Sequence, residues 1–397
     1  MKVSLQSKIT LYPLSIQKDK KNFIVEEPIS GEFFEMPEIC VDAIKQLEKG
    51  EELPTIEKAL KEAYPTEDID IIEFVEQLVE IGLVQEVDGE QVNIHNEKQA
   101  KSDAKAGGFL WIPSTLGRLL FNRVMNKIYL LLLVVNILIL IINPELFPHY
   151  KDIFLFDSMM LNALSYLIIS IVLIFIHEFG HVLAIRSYDL PAKFSIGRRL
   201  IFIVFETDLT QAWKLEPKQR NMLYLAGMSF EQIILFFSFS CILLFPEANV
   251  VGFLGIVVLD IFIKLIYQCC FYMKTDFYYV VENVTGCYNL MESGKIYLSS
   301  FFKKQRNSKR NQKEMFQNEF KFIRFYSVFY IVGVLLTLLL TALYFVPQLY
   351  YAATTIYSNI ISPENHAAFW DSIAFLIQTM VMLILIVYLE RKQKQEN

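Results

Sequence analysis

Residues Ser170–Ile185 read SIVLIFIHEFGHVLAI, and within them His177, Glu178 and His181 stand at i, i+1 and i+4. On a helix, positions i and i+4 share one face a turn apart, so two imidazoles there can reach one tetrahedral Zn²⁺. Glu178, beside the first ring, is placed to take a proton from a water that such an ion acidifies, as a general base. Gly180 carries no side chain, which lets a neighbouring helix or a substrate come close. The chemistry open to this trio is metal-assisted hydrolysis. The bland alternative is a chance match on an apolar helix. Against it, a carboxylate inside a membrane span costs about 2.5–3.5 kcal/mol on insertion scales, so such groups usually have a functional reason.

A catalytic zinc of this kind takes a third protein ligand and leaves one position for water. The other histidines, His95, His149 and His366, fall in a polar linker or on the side predicted to face outward. A carboxylate is therefore the better third ligand, and Asp260, Asp276 and Glu282 are the candidates. Asp260 and Lys264 are spaced i, i+4 and can neutralise each other within a helix bundle. Asp276, in MKTDFYYVVEN, lies on the predicted inner side near the histidines and is favoured, with Asp260 left open.

These side chains need a scaffold, and composition says which kind. Of 397 residues, 54% are hydrophobic and 20% charged, a balance that argues against a purely soluble chain. Six apolar stretches are long enough to cross a bilayer: roughly 127–147, 161–185, 221–245, 251–273, 325–346 and 368–389. Basic clusters alternate with them: Arg118, Arg123 and Lys127; Arg186, Arg198 and Arg199; Lys214, Lys218 and Arg220; Lys274; eight Lys or Arg within 303–324; and Arg391, Lys392 and Lys394. The stretches near Pro144–Phe156, Pro246–Val250 and Pro347–Phe369 are nearly free of them. If all six cross, every basic cluster falls on one side, which predicts a multi-pass cell-membrane protein with both termini cytoplasmic. Lys303–Arg324 then reads as an anchor to anionic headgroups. His177 would sit about 13 Å from the cytoplasmic end of its helix, nine residues before Arg186. The five cysteines show neither a disulfide framework nor zinc-finger spacing, and the charge pattern speaks for membrane topology over nucleic acid.

Ahead of the apolar part, residues 1–88 have a soluble character. Strand-like runs at Ile9–Leu14, Phe23–Val25 and Glu32–Met36 precede helical patterns near Pro37–Gly50, Thr55–Tyr64 and Ile69–Gly82, with Leu83–Val87 returning as a strand. Ile71, Phe74, Val75, Leu78 and Val79 form an apolar stripe at helical spacing. No apolar core with a cleavage site opens the chain, so no signal peptide is expected. The expected class is mainly α: a polytopic membrane protein of about six transmembrane helices with a small N-terminal α+β winged-helix domain. Its divisions are 1–88, a polar linker at 89–108, and a membrane domain at 109–397.

With these residues in view, Leu161–Asn289 resembles the site-2 protease family of intramembrane zinc metalloproteases. The likeness rests on HEFGH at 177–181, the β-prone stretch Phe194–Asp208, TDLTQAWKLEPKQRNMLYLAGMSFE at 207–231 and KTDFYYV at 274–280. The resemblance implies Zn²⁺ held by His177, His181 and Asp276, with Glu178 catalytic. It also implies a small-residue turn at Ala226–Gly227 beside the site, with Glu231 where a polar residue often lies. Two features depart from the family pattern: Phe277 follows the aspartate where Gly is usual, and the upstream Asn-Pro is missing. Residues 37–60 (PEICVDAIKQLEKGEELPTIEKAL) and 73–87 (EFVEQLVEIGLVQEV) resemble the PqqD-like domain that recognises leader peptides. Together the halves are similar to peptide zinc metalloproteases of bacterial peptide-modification systems, the YydH-like group. That resemblance implies a ribosomally made precursor peptide as substrate, its leader bound by residues 1–88. Membrane lipids surround the other half, and a peptide-modifying enzyme or an ABC transporter is the further partner such a system offers. Two other readings stand beside it: a non-catalytic scaffold, export or immunity factor, and a protease acting on a membrane-anchored regulator. No substrate-binding residue is singled out.

Overall fold

The computed structural model describes residues 3–92, 108–199, 202–287, 289–302, 320–363 and 365–396. Most of the expected linker, with His95, and most of the basic stretch 303–324 lie outside them. The chain is mainly helical, with a small β-rich N-terminal region, and divides into two compact units.

The first unit comprises 1–111 with 190–193 and 208–219. Strands β1 (Ile9–Leu11), β2 (Ser15–Asp19), β3 (Asn22–Glu27) and β4 (Glu32–Met36) precede helices α1 (Glu38–Glu48), α2 (Leu53–Ala63) and α3 (Ile71–Glu80). Strands β5 (Val84–Val87) and β6 (Glu90–Gln91) follow. All pairing is antiparallel, in two sheets ordered β2-β3-β4 and β1-β5-β6. Strands β2 and β6 are short, polar and solvent-facing, which is why the sequence pattern passed over them. The helices start and stop where chain chemistry directs. Asp70 caps α3 by accepting from the Ile72 and Glu73 amides at 2.9 and 3.0 Å. At the other end, Gly82 (φ +74°) closes a Schellman turn, with the Leu83 amide reaching Leu78 O at 2.9 Å. Ile71, Val75 and Leu78 are buried with Val41, Ile44, Leu53 and Ile56, and Phe74 and Val79 pack on that core. The stretch Thr210–Lys214 packs on β4, and Lys214 pairs with Glu26 at 2.8 Å.

The second unit holds 112–189, 194–207 and 220–397. Helices α4 (Ser114–Leu120), α5 (Arg123–Ile142) and α6 (Met159–Arg186) come first, then hairpin β7 (Phe194–Arg199) and β8 (Phe202–Thr207). Next are α7 (Pro217–Tyr224, of which 220–224 belong to this unit), α8 (Ala226–Leu244), α9 (Val251–Gln268), α10 (Asp276–Thr285) and α11 (Leu290–Phe302). The last are α12 (Phe320–Leu340), α13 (Val346–Ile361) and α14 (His366–Glu396). Among the described residues six helical segments are long and apolar enough to cross a membrane: α5, α6, α8, α9, the run Lys321–Ile361, and His366–Tyr388 within α14. The expected connection at Pro347–Phe369 is instead helical as far as Ile361. Pro347 lies within this continuous helical run, directly after a π-helical stretch. The π-helical stretch spans Thr341–Phe345. The 41-residue run is about 60 Å long, about twice the thickness of a bilayer's hydrocarbon core.

Candidate metal centre

Helix α6 begins at Ser158, whose hydroxyl accepts from the Leu161 amide at 3.1 Å, and runs unbroken to Arg186. That continuity sets the i, i+4 register of His177 and His181. Helix α8 lies close against this face because both helices carry glycine at the contact. A Cβ on Gly180 would lie 2.8 Å from Ala226 O, and one on Gly227 would lie 2.3 Å from His177 Nε2.

Asp276 reaches the same place from a different element. After α9 ends at Gln268, Lys274 adopts a left-handed conformation (φ 51°) and the extended Thr275 directly precedes α10. The break between the two helices falls just before the aspartate. It is tied by Thr275 Oγ1 to Gln268 O (2.8 Å) and by the Asp276 amide to Gln268 Oε1 (3.1 Å). Gln268 Nε2 also donates to Asp276 Oδ2 at 3.0 Å, fixing the carboxylate.

His177 Nε2, His181 Nε2 and Asp276 Oδ2 converge, with separations of 3.2, 3.0 and 3.6 Å. Ligands about 2.0 Å from a tetrahedral ion stand about 3.3 Å from one another, so the donor set matches the size of a small divalent cation. The outer nitrogens agree. His181 Nδ1 lies 2.8 Å from the Leu223 carbonyl, which can only accept, so the proton is on Nδ1 and the lone pair on Nε2 faces inward. His177 Nδ1 meets Glu231 Oε1 at 2.9 Å, with the same consequence. A carboxylate in its anionic form is what a cation ligand requires.

Glu178 points to the hairpin. Its Oε2 accepts from the Thr207 amide at 2.7 Å and lies 2.9 Å from the Thr207 hydroxyl, which also reaches Glu178 O at 3.0 Å. Phe175 on α6 packs on Phe194 and Phe205 of the hairpin, which seats β8 against this helix.

Among the carboxylates weighed from sequence, the geometry brings Asp276 to the histidines and leaves the others elsewhere. Asp260 pairs with Lys264 at 2.5 Å within α9. Glu282 accepts from Tyr278 Oη and from the Leu290 amide (3.0 Å), and burial pushes its carboxyl up to about 7. Sequence reasoning missed Thr207, Gln268 and the Leu223 carbonyl. Only Gln268 left a trace, as an amide in an apolar run eight residues before Asp276. Comparison of the chain with family models, with curated proteins and with solved structures finds no match.

Proposed function

We propose that this chain is a membrane zinc endopeptidase of the site-2 protease type that cuts a ribosomally made, modified precursor peptide. The observation that carries the reading is the convergence of His177 and His181 from α6 with Asp276 from α10, beside a carboxylate held in a fixed direction. A bound Zn²⁺ would supply Lewis acidity, polarising the scissile carbonyl and making a water acidic near neutral pH. His177 Nε2, His181 Nε2 and Asp276 Oδ2 would hold the ion. Thr207 occupies Glu178 Oε2, so Oε1 is the oxygen that takes the water's proton and returns it to the leaving amine. Residues 1–88 act as a PqqD-like winged-helix module that binds the precursor's leader as an added strand and raises its local concentration. The polar edge strand β2, bonded on one side to β3, supports this. The six apolar helices support a multi-pass cell-membrane protein, and the alternation of basic clusters supports cytoplasmic termini.

The test is cleavage of the co-encoded precursor by purified protein in liposomes, followed by mass spectrometry. Wild type should give one product. Glu178→Gln should lower its rate by about 10²–10⁴-fold, and chelation should abolish it until zinc is restored. Binding of the precursor without any product, at one zinc per chain, overturns the reading in favour of a scaffold or export factor.

A further inference from the structure

We infer that Glu231, on α8, is a positioning residue of the metal site: through His177 Nδ1 it fixes the ring and supplies the second negative charge that a divalent ion needs here. The inference rests on the metal reading above.

Glu231 is 1% exposed and lies in a helix of membrane-spanning character, where an ionisable group is costly and marks function. One carboxylate oxygen, Oε1, faces His177 Nδ1 at 2.9 Å. The other, Oε2, is buried without a hydrogen-bond partner among the described residues, so packing and local bonding do not account for the acid. An isolated buried carboxylate is unfavourable unless a positive charge stands near it. His177 lies between Glu231 on one side and His181 Nε2 and Asp276 Oδ2 on the other, so its ring links the acid to the three-donor cluster.

The charge balance points the same way. Two neutral imidazoles and Asp276 carry one negative charge, and an ion of charge +2 leaves an excess of +1 in a low-dielectric interior. Glu231, one ring away, cancels it. Its neighbour on the same face, Gly227, lets α8 approach the ring closely enough for the bond to form. His181 receives the weaker version of this support, a neutral carbonyl at Leu223. The two ligands are therefore unequal, and His177 carries the charge-assisted one.

The test uses the full chain in detergent micelles and two readouts besides activity: zinc affinity by competition with a chromophoric chelator, and the visible spectrum of the Co²⁺-substituted protein. Glu231→Gln keeps the size and an acceptor oxygen but removes the charge. It should raise the zinc Kd by about ten- to a hundredfold and shift the Co²⁺ bands. The comparison is Gln232→Leu, which removes the adjacent buried amide that Asn136 bonds at 3.2 Å and faces away from the cluster. It should lower the melting temperature while leaving zinc affinity within about twofold. If Glu231→Gln does not fold, Glu231→Asp, which keeps the charge but withdraws the oxygen, must still weaken zinc more than Gln232→Leu does.

Zinc binding by wild type that His177→Ala abolishes but Glu231→Gln leaves intact, with an unchanged Co²⁺ spectrum, overturns the inference and spares the metal reading. Equal losses in Glu231→Gln and Gln232→Leu also overturn it, as the effect would then be packing. Failure of wild type to bind any metal removes both.

Discussion

Replacing Gly227 by alanine adds one methyl group at the most crowded point of the candidate site. Its Cβ would lie 2.3 Å from His177 Nε2 and 2.5 Å from two ring carbons, whereas ordinary contact begins near 3.4 Å. The ring or α8 must therefore give about 1 Å. The ring cannot translate freely, since Nδ1 is held by Glu231 and Nε2 faces the other donors. Metal–ligand distances tolerate only about 0.2 Å. Without metal the ring can rotate away and relieve the clash; with metal it cannot. The overpacking cost of about 1–3 kcal/mol then falls on the bound state, which raises the zinc Kd by about ten- to a hundredfold. Gly180→Ala is the informative contrast. Its methyl meets the Ala226 carbonyl at 2.8 Å, a helix–helix contact, so it should lower the melting temperature more than the metal affinity. Chelator competition and thermal unfolding of both variants in detergent decide the matter. Gly227→Ala binding zinc within about twofold of wild type would refute this account of how α8 seats His177.

Thr207→Val keeps the shape and the backbone donor but removes the hydroxyl 2.9 Å from Glu178 Oε2. A hydrogen bond to a charged group is worth about 1.5–3 kcal/mol, so turnover should fall by about tenfold to a hundredfold with zinc content unchanged, read as kcat beside metal analysis. Glu282 predicts a pH dependence of stability. Its carboxyl, ordinarily near 4.5, is pushed up to about 7 by burial, so the folded state favours the protonated form. That contribution is full below pH 4.5 and is lost as pH rises through 7, by at most about 3 kcal/mol. Melting temperatures between pH 5 and 8 should fall with pH in wild type and flatten in Glu282→Gln, which retains acceptors for Tyr278 and Leu290.

What the sequence displayed and what it hid divide along a physical line. The apolar stretches and the i, i+4 histidines were legible because each depends on periodicity within one segment. Helix α3 was legible for the same reason, with Asp70 at its start and Gly82 at its end. Strands β2 and β6 were not, because short polar hairpins carry little alternation. The helix through Pro347 was hidden because a proline and several polar residues look like a loop, while a π-helical stretch has no sequence signature. Around the histidines the contacts that fix direction all come from elsewhere in the chain. Thr207 is 29 residues beyond Glu178 and Leu223 is 42 beyond His181, and a backbone carbonyl leaves no mark in a residue code. Glu231 was visible as a polar residue in an apolar run, but its role depends on the 54-residue separation that the fold closes.

That dispersal has a consequence for how the site would fail. Helix α6 contributes only the register of two rings and one carboxylate; their directions are set by β8, the end of α7 and α8, while the end of α9 orients Asp276. Thr207 acts on Glu178 alone, so damage there should appear in turnover and spare the metal. Glu231 and Gln268 act on His177 and Asp276, so damage there should appear in metal affinity first and in turnover only through it. A generic packing defect would instead lower stability and both functions together. Separating metal affinity, turnover and melting temperature across these positions therefore tests the proposed division of labour, since each surrounding element should move one quantity ahead of the others.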